Sequence, residues 1–317
     1  MSEKEILLTA EKVCKVFTQE KGKELAACKD ISLQLYRGET LGLVGESGCG
    51  KSTFVRTIMG LHPATSGKIS FKGKDITNLK GEERREMARH IQMIFQDPAT
   101  AFNPKMKIKD IICEPLRNFA KVSDKEAEVR AVELLRQVEL PPEIALRYPH
   151  ELSGGQRQRA GIARALILEP EIIICDEATS ALDVSVQDSI AKLLARLQKK
   201  RGVSYIFICH DLALVSLISH RVAVMQQGSI VEELPGDRLS EARHPYTRKL
   251  LARIQKQRGV SYIFICHDLA LVSLISHRVM VMQQGSIVEE LPGDKLAEAK
   301  HPYTKKLLAS VFSVRKG

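Results

Sequence analysis

"LGLVGESGCGKST" (residues 41–53) decides the fold. An apolar run comes first, then a loop with glycines at 45, 48 and 50, then helix-forming sequence. From Gly45 to Ser52 the residues match GxxxxGK[ST], a strand that turns through a glycine-rich loop into a helix. The glycines let the backbone of Gly45, Glu46, Ser47, Gly48, Cys49 and Gly50 turn tightly, so that its N–H groups point inward at phosphate oxygens. Lys51 can neutralise β- and γ-phosphates, and Ser52 can ligate Mg²⁺. Thr53 completes the set at the start of a helix whose dipole favours the same anion.

Two further stretches carry chemistry. In "EIIICDEATSALD" (171–183), Ile172 to Cys175 reads as a fully buried strand. Asp176 at its carboxyl end can hold Mg²⁺ through water, and Glu177 is placed to polarise an attacking water. In "LSGGQRQR" (152–159), Ser153, Gly154 and Gly155, followed by Gln156, expose N–H groups at a helix start, which suits a phosphate. Read alone, the same residues make an ordinary N-cap with a glycine turn.

In this order and spacing, the three stretches resemble the ATP-binding subunits of ABC transporters, over about residues 5–249. The resemblance implies a role for further positions. Phe17 in "KVF" is the aromatic that stacks on adenine. Gln96 in "IFQDP" senses Mg²⁺ and the attacking water. Asp183 in "SALD" lies at a dimer interface, and His210 in "FICHD" contacts the γ-phosphate. Ser153 to Gln156 reach the ATP held by a partner subunit. The expected fold is α/β, a P-loop ATPase core with a mainly parallel sheet from runs at 41–45, 171–175 and 204–209. An antiparallel β lobe from the first 40 residues flanks it, with a helical subdomain at about 100–150. In that subdomain "DKEAEVRAVELLRQVEL" places Ala127, Val129, Val132, Leu134, Leu135 and Val138 near helical spacing, bounded by Pro141–Pro142.

The resemblance also implies partners. ATP and Mg²⁺ are the cofactors. The partners are a second ATPase subunit (homo- or heterodimer), two permease subunits and an extracytoplasmic substrate-binding protein. The place is the cytoplasmic face of the inner membrane. "IFQDPATAFNPKMKIKDIICEPL", "YPHELSGGQRQRAGIARAL" and "HPYTRKLL" resemble peptide- and nickel-importer ATPases. The short ending "VFSVRKG" leans toward the nickel-type members. His220 in "SHRV" stands where the family usually has an acidic residue, and is read as a surface substitution. A non-transport ATPase of nucleic-acid maintenance is the alternative. Such chains carry long coiled coils, zinc motifs or two cassettes, whereas this one has one P-loop and one LSGGQ.

Composition agrees. Of 317 residues, 44% are hydrophobic and 27% charged, enough apolar content for a packed core. The formal charge is +10, without a Lys/Arg block interleaved with aromatics, so no nucleic-acid partner is expected. Seven cysteines show no CxxC, which suits a reducing compartment. The first residues, "MSEKE", lack a signal peptide's apolar core, and no run approaches eighteen apolar residues.

One feature stands apart. "SYIFICHDLALVSLISHRV" occurs at 204–222 and again at 261–279, within a repeat that aligns 193–249 with 250–306 at a period of 57. Seven positions differ, among them Ala223/Met280. Two nearly identical copies read as a tandem duplication, with a seam at "KLLAR" (192–196 and 249–253). Residues 250–306 hold eight Lys/Arg and five Asp/Glu, so removing them lowers the formal charge from +10 to +7. The expected organisation is an ATPase domain over 1–249 and a duplicated appendage over 250–317, with His210 rather than His267 in use. A duplication-impaired ATPase is the third reading.

Overall fold

The computed structural model describes residues 5–18, 23–96, 98–178, 182–209, 212–257, 276 and 278–313. The chain forms two compact units, Met1–Asp237 and Arg238–Gly317. This boundary lies ahead of the one expected at 249/250.

In the first unit, long strands β1 (Ile6–Thr18) and β2 (Glu24–Tyr36) lead into β3 (Thr40–Val44), and the glycine-rich loop opens α1 (Lys51–Ile58). β4 (Ser66–Phe71), β5 (Lys74–Asp75), α2 (Gly81–His90) and β6 (Ile91–Ile94) follow. Next come α3 (Pro98–Ala101), α4 (Ile108–Phe119), α5 (Asp124–Gln137) and α6 (Gly154–Leu166). β7 (Ile172–Asp176), α7 (Val184–Arg201), β8 (Ser204–Ile208), α8 (Leu212–Ile218), β9 (Arg221–Gln226) and β10 (Ser229–Pro235) complete it.

The central sheet has the order β10-β9-β3-β8-β7-β6. Five neighbouring strands, β9 to β6, run parallel, and β10 is an antiparallel edge. Helices on both faces of a parallel sheet bury its strands completely, so they read as continuous apolar runs. "TLGLV", "IIICD" and "SYIFI" are buried at every residue. Parallel strands also send all their carboxyl ends to one edge, where such folds bind ligands.

The β lobe is larger than the first 40 residues. Its sheet is β2-β1-β4-β5, and the last two strands come from beyond α1. Ile69 and Phe71 of β4 are buried opposite Ala10 and Leu8, with Lys68 and Lys72 exposed, the alternation of a half-buried strand. In α5 the buried stripe is Ala127, Ala131, Leu134 and Leu135, continued by Val138. Val129 is exposed, because it lies two residues off that stripe.

The first repeat copy supplies the strands after α7. That helix runs unbroken to Gly202, whose φ of 69° gives the left-handed stop that glycine takes without strain. β8 then inserts between β3 and β7. His220 is exposed, yet its Nδ1 accepts the Thr40 N–H at 3.1 Å. It caps the start of β3, a task an acidic side chain could also perform.

At the amino edge of the sheet, Glu171 accepts from Lys72 Nζ at 2.5 Å and Arg37 Nη2 at 3.0 Å, with His90 Nδ1 at 3.2 Å. Burial pushes its pKa up, but the Lys72 and Arg37 charges outweigh this and hold it below the ordinary value. The cluster's contribution is therefore fully present above the ordinary carboxylate value of 4.5 and is lost as pH falls through the lower folded value. Glu171→Gln should lower the thermal midpoint at pH 7 and flatten its dependence on pH below 4.5. An unchanged midpoint at pH 7 would contradict this account.

The second unit contains α9 (Pro245–Gln257), a hairpin of β11 (Arg278–Gln283) and β12 (Ser286–Pro292), and α10 (Pro302–Ser313). α9 crosses the repeat seam without a break, because no Gly or Pro intervenes before Gly259. Val279, Val281 and Leu296 form a small core with Tyr303, Leu307 and Leu308 packed on it. Glu289 Oε1 accepts the N–H groups of Lys300 (2.6 Å) and His301 (3.2 Å) ahead of α10. β11 repeats the sequence of β9 but not its surroundings. Met280 is 46% exposed where Ala223 of β9 is 0% exposed. The repeated strand "VSYIFIC" and His267 lie outside the described residues.

Candidate active site

The chain leaves the carboxyl edge of the central sheet at Gly45 after β3, Phe95 after β6, Glu177 after β7 and Cys209 after β8. Two glycines seat the first of these loops. A Cβ on Gly45 would stand 2.2 Å from the Met225 carbonyl oxygen, and one on Gly50 would stand 2.1 Å from that of Ala27. Backbone cannot yield to that overlap, so any side chain at either position displaces the loop. Gly48, at φ +79°, faces open space, and Glu46 and Ser47 beside it are exposed. The loop is thus anchored at its ends and open at its tip.

Lys51 is buried, and its Nζ donates to the carbonyls of Gly45 (2.8 Å) and Glu46 (2.9 Å), with Cys49 Sγ at 3.6 Å. The ammonium therefore sits inside the loop. Ser52 and Thr53 are half-buried in the first turn of α1. Ser52 Oγ donates to Asp176 Oδ1 at 2.8 Å, which joins the loop to the end of β7. Asp176 is 4% exposed, and Arg56 Nη2 lies 3.7 Å from its Oδ2. A hydroxyl and a buried carboxylate at one point are the hard oxygen donors that Mg²⁺ takes. Among the described residues no group of three His, Cys, Asp or Glu could hold a metal. The Ser52–Asp176 pair fits phosphate-bound Mg²⁺, which takes one or two protein ligands and the rest from phosphate and water.

Glu177 has φ +50°, in the left-handed region, and its N–H donates to the Ile208 carbonyl at 3.1 Å. Such a conformation costs roughly 1–3 kcal/mol in a residue other than glycine and gathers at functional sites. Here it turns the chain sharply off the strand end, braced by β8.

Other expected residues fall as follows. Gln96 is exposed just beyond β6. Ser153 is the N-cap of α6. Its Oγ accepts the Gln156 N–H at 3.3 Å, and Gln156 Oε1 accepts the Ser153 N–H at 2.9 Å. The N-cap reading of this motif therefore holds, and it leaves Ser153 itself exposed. A Cβ on Gly155 would stand 2.9 Å from Val186 Cγ1, so a glycine there lets α6 approach α7. Asp183 is exposed at the N-cap of α7. Phe17 stands near the end of β1 against Lys15 and His62. His210 lies outside the described residues. The contacts thus bring residues 45–53 together with Asp176. Sequence reasoning missed Arg56, although Ser52 and Arg56 are four apart on α1, on one helix face, and both reach Asp176.

Comparison with known proteins agrees with this geometry. A family model described as ABC transporter matches residues 28–180. The oligopeptide transport ATP-binding protein OppF of Salmonella typhimurium is 53% identical over 234 residues, 73% of this chain and 70% of that protein. OppF of Bacillus subtilis is 52% identical over 232 residues, 72% of this chain and 76% of that one. Among solved structures, the dimeric post-hydrolysis state of the ATP-binding cassette MJ0796 bound to ADP and Pi matches with TM-score 0.67 and 29% identity, over 72% of this chain and 98% of that chain. CbiO1 of Clostridium perfringens, part of the transporter complex cbiONQ, matches with TM-score 0.66 and 27% identity, over 80% and 96%. The chain belongs to the ABC transporter family, as an ATP-hydrolysing, ATP-binding subunit of the peptide-importer type.

Proposed function

We propose that this chain powers oligopeptide import, hydrolysing ATP at the carboxyl edge of its sheet and passing the motion to separate permease subunits. The observation that supports the reading is the 2.8 Å bond from Ser52 Oγ to Asp176, which joins the phosphate loop to the end of the strand that Glu177 follows. The loop N–H groups and Lys51 hold the phosphates. Ser52, Asp176 and Gln96 would hold Mg²⁺, which supplies charge neutralisation on the phosphate oxygens. Glu177 takes a proton from water as its oxygen bonds to the γ-phosphorus and the bond to the leaving ADP oxygen breaks. His210 steadies the γ-phosphate. Catalysis of this kind is positioning and electrostatic stabilisation.

A second ATPase subunit completes each site in this reading, with Ser153 to Gln156 facing the partner's nucleotide and Asp183 at the dimer interface. The exposure of Ser153 and Asp183 supports that role, as does the dimeric form of the MJ0796 cassette. No described helix is long and apolar enough to cross a membrane, so the permeases are separate chains in this proposal. The names of the OppF relatives favour oligopeptides over nickel as cargo. The test is uptake by the complex reconstituted in liposomes with its permeases and binding protein. ATP-dependent accumulation of a labelled oligopeptide is expected. Accumulation of Ni²⁺ alone would overturn the cargo, and ATP turnover with neither would overturn transport.

A further inference from the structure

Phe17 is held from two directions by groups to which the hydrolytic chemistry gives no task. Its ring meets the His62 imidazole edge to face, with centroids 5.4 Å apart and planes at 89°. Lys15, two residues back on the same face of β1, lies over the ring with Nζ 4.8 Å from the centroid. Only 9% of Lys15 is exposed, and its Nζ donates to the Pro63 carbonyl at 2.9 Å. The partners sit on a loop stitched at both ends. The N–H groups of Leu61 and His62 donate to the Arg56 carbonyl of α1. The Thr65 N–H donates to the Cys14 carbonyl, and Thr65 Oγ1 accepts the Val16 N–H at 3.0 Å. The loop therefore ties the end of β1 to the helix that begins in the phosphate loop.

We propose that Lys15 and His62 are positioning residues for the base of the nucleotide, clamping the Phe17 ring at a set distance and tilt from the phosphate loop. The proposal rests on Phe17 as the adenine-stacking residue. A stacking platform gives more affinity when it is already oriented, because an unrestrained ring would lose its freedom on binding. Burial, with the neighbouring Lys15 and Arg56 charges, lowers the His62 pKa. The imidazole is therefore neutral near pH 7 and touches Phe17 as an aromatic ring, while the cation over the ring is Lys15.

The test is equilibrium binding of ATP, and of tripolyphosphate as a ligand with phosphates but no base, to the full chain at physiological salt. His62→Ala and Lys15→Met should each weaken ATP about two- to tenfold, the range of one aromatic or cation–π contact. Tripolyphosphate affinity should stay unchanged, which also shows that the phosphate loop remains folded. KM for ATP should rise with kcat preserved, and His62→Phe should restore ATP affinity. Equal weakening of both ligands would overturn the proposal, as would no change for ATP. Phe17→Ala separates the two levels. If it leaves ATP affinity intact, the adenine-stacking reading falls and this inference with it. If it weakens ATP while His62→Ala and Lys15→Met do not, only the clamp falls.

Discussion

Glu177→Gln is expected to slow ATP turnover about 10²- to 10⁴-fold while ATP affinity stays near that of the unaltered chain, the range for losing a general base. The amide keeps the size and the polar contacts of the carboxylate but cannot accept the proton of the attacking water. Its neighbours are untouched by the change. Asp176 keeps its bond to Ser52, and the residue 177 N–H keeps its bond to the Ile208 carbonyl. The phosphate loop, which carries the affinity, draws on residues 45–53 instead. Turnover and ATP binding measured on the purified variant separate the two. Turnover within a few-fold of the unaltered chain would remove Glu177 from the mechanism.

His210→Ala is expected to cost about 10²- to 10³-fold in turnover, the scale for one preorganised group on transition-state charge, whereas His267→Ala should cost little. Both histidines lie outside the described residues, so the expectation rests on what surrounds them. His210 follows Ile208 by two residues, and Ile208 pairs with Leu43 on one side and Asp176 on the other. These strands lead into the phosphate loop and Glu177. To use the second copy instead, the chain would have to break α7 after Lys192, in the middle of a helix that runs from Val184 to Arg201. The slot of β9 also fits one copy better. Ala223 is fully buried there, and Met280 would bring three more heavy atoms into a filled space. Equal loss in the two variants would mean that the copies exchange.

Much of this was legible because it is chemistry at fixed spacing. Gly45 and Gly50 are demanded by backbone approach, and a buried parallel strand shows as an apolar run such as Ile172 to Cys175. The missing half of the β lobe was not legible. β4 pairs with β1 across the whole of α1, with β5 added on its far side, and nothing local in "SGKISF" names so distant a partner. His220 looked like a surface residue by type and is exposed, but its bond to Thr40 depends on strands brought together only by the fold. The clamp on Phe17 was hidden for the same reason. Lys15 is a charged residue in a strand, and its burial depends on Pro63, 48 residues away. The unit boundary moved because the seam at 249/250 is a boundary in the repeat, while the helix across it has no stop signal.

We propose that the first repeat copy completes a working ATPase and that residues 250–306 are an appendage to it. The most direct measurement is ATP hydrolysis by the chain lacking residues 250–306. That deletion joins Lys249 to Leu307 and keeps the first unit, Met1–Asp237, whole. Turnover within a few-fold of the full chain, with greater solubility, is the predicted result. A folded deletion protein that binds ATP but no longer hydrolyses it would contradict the account.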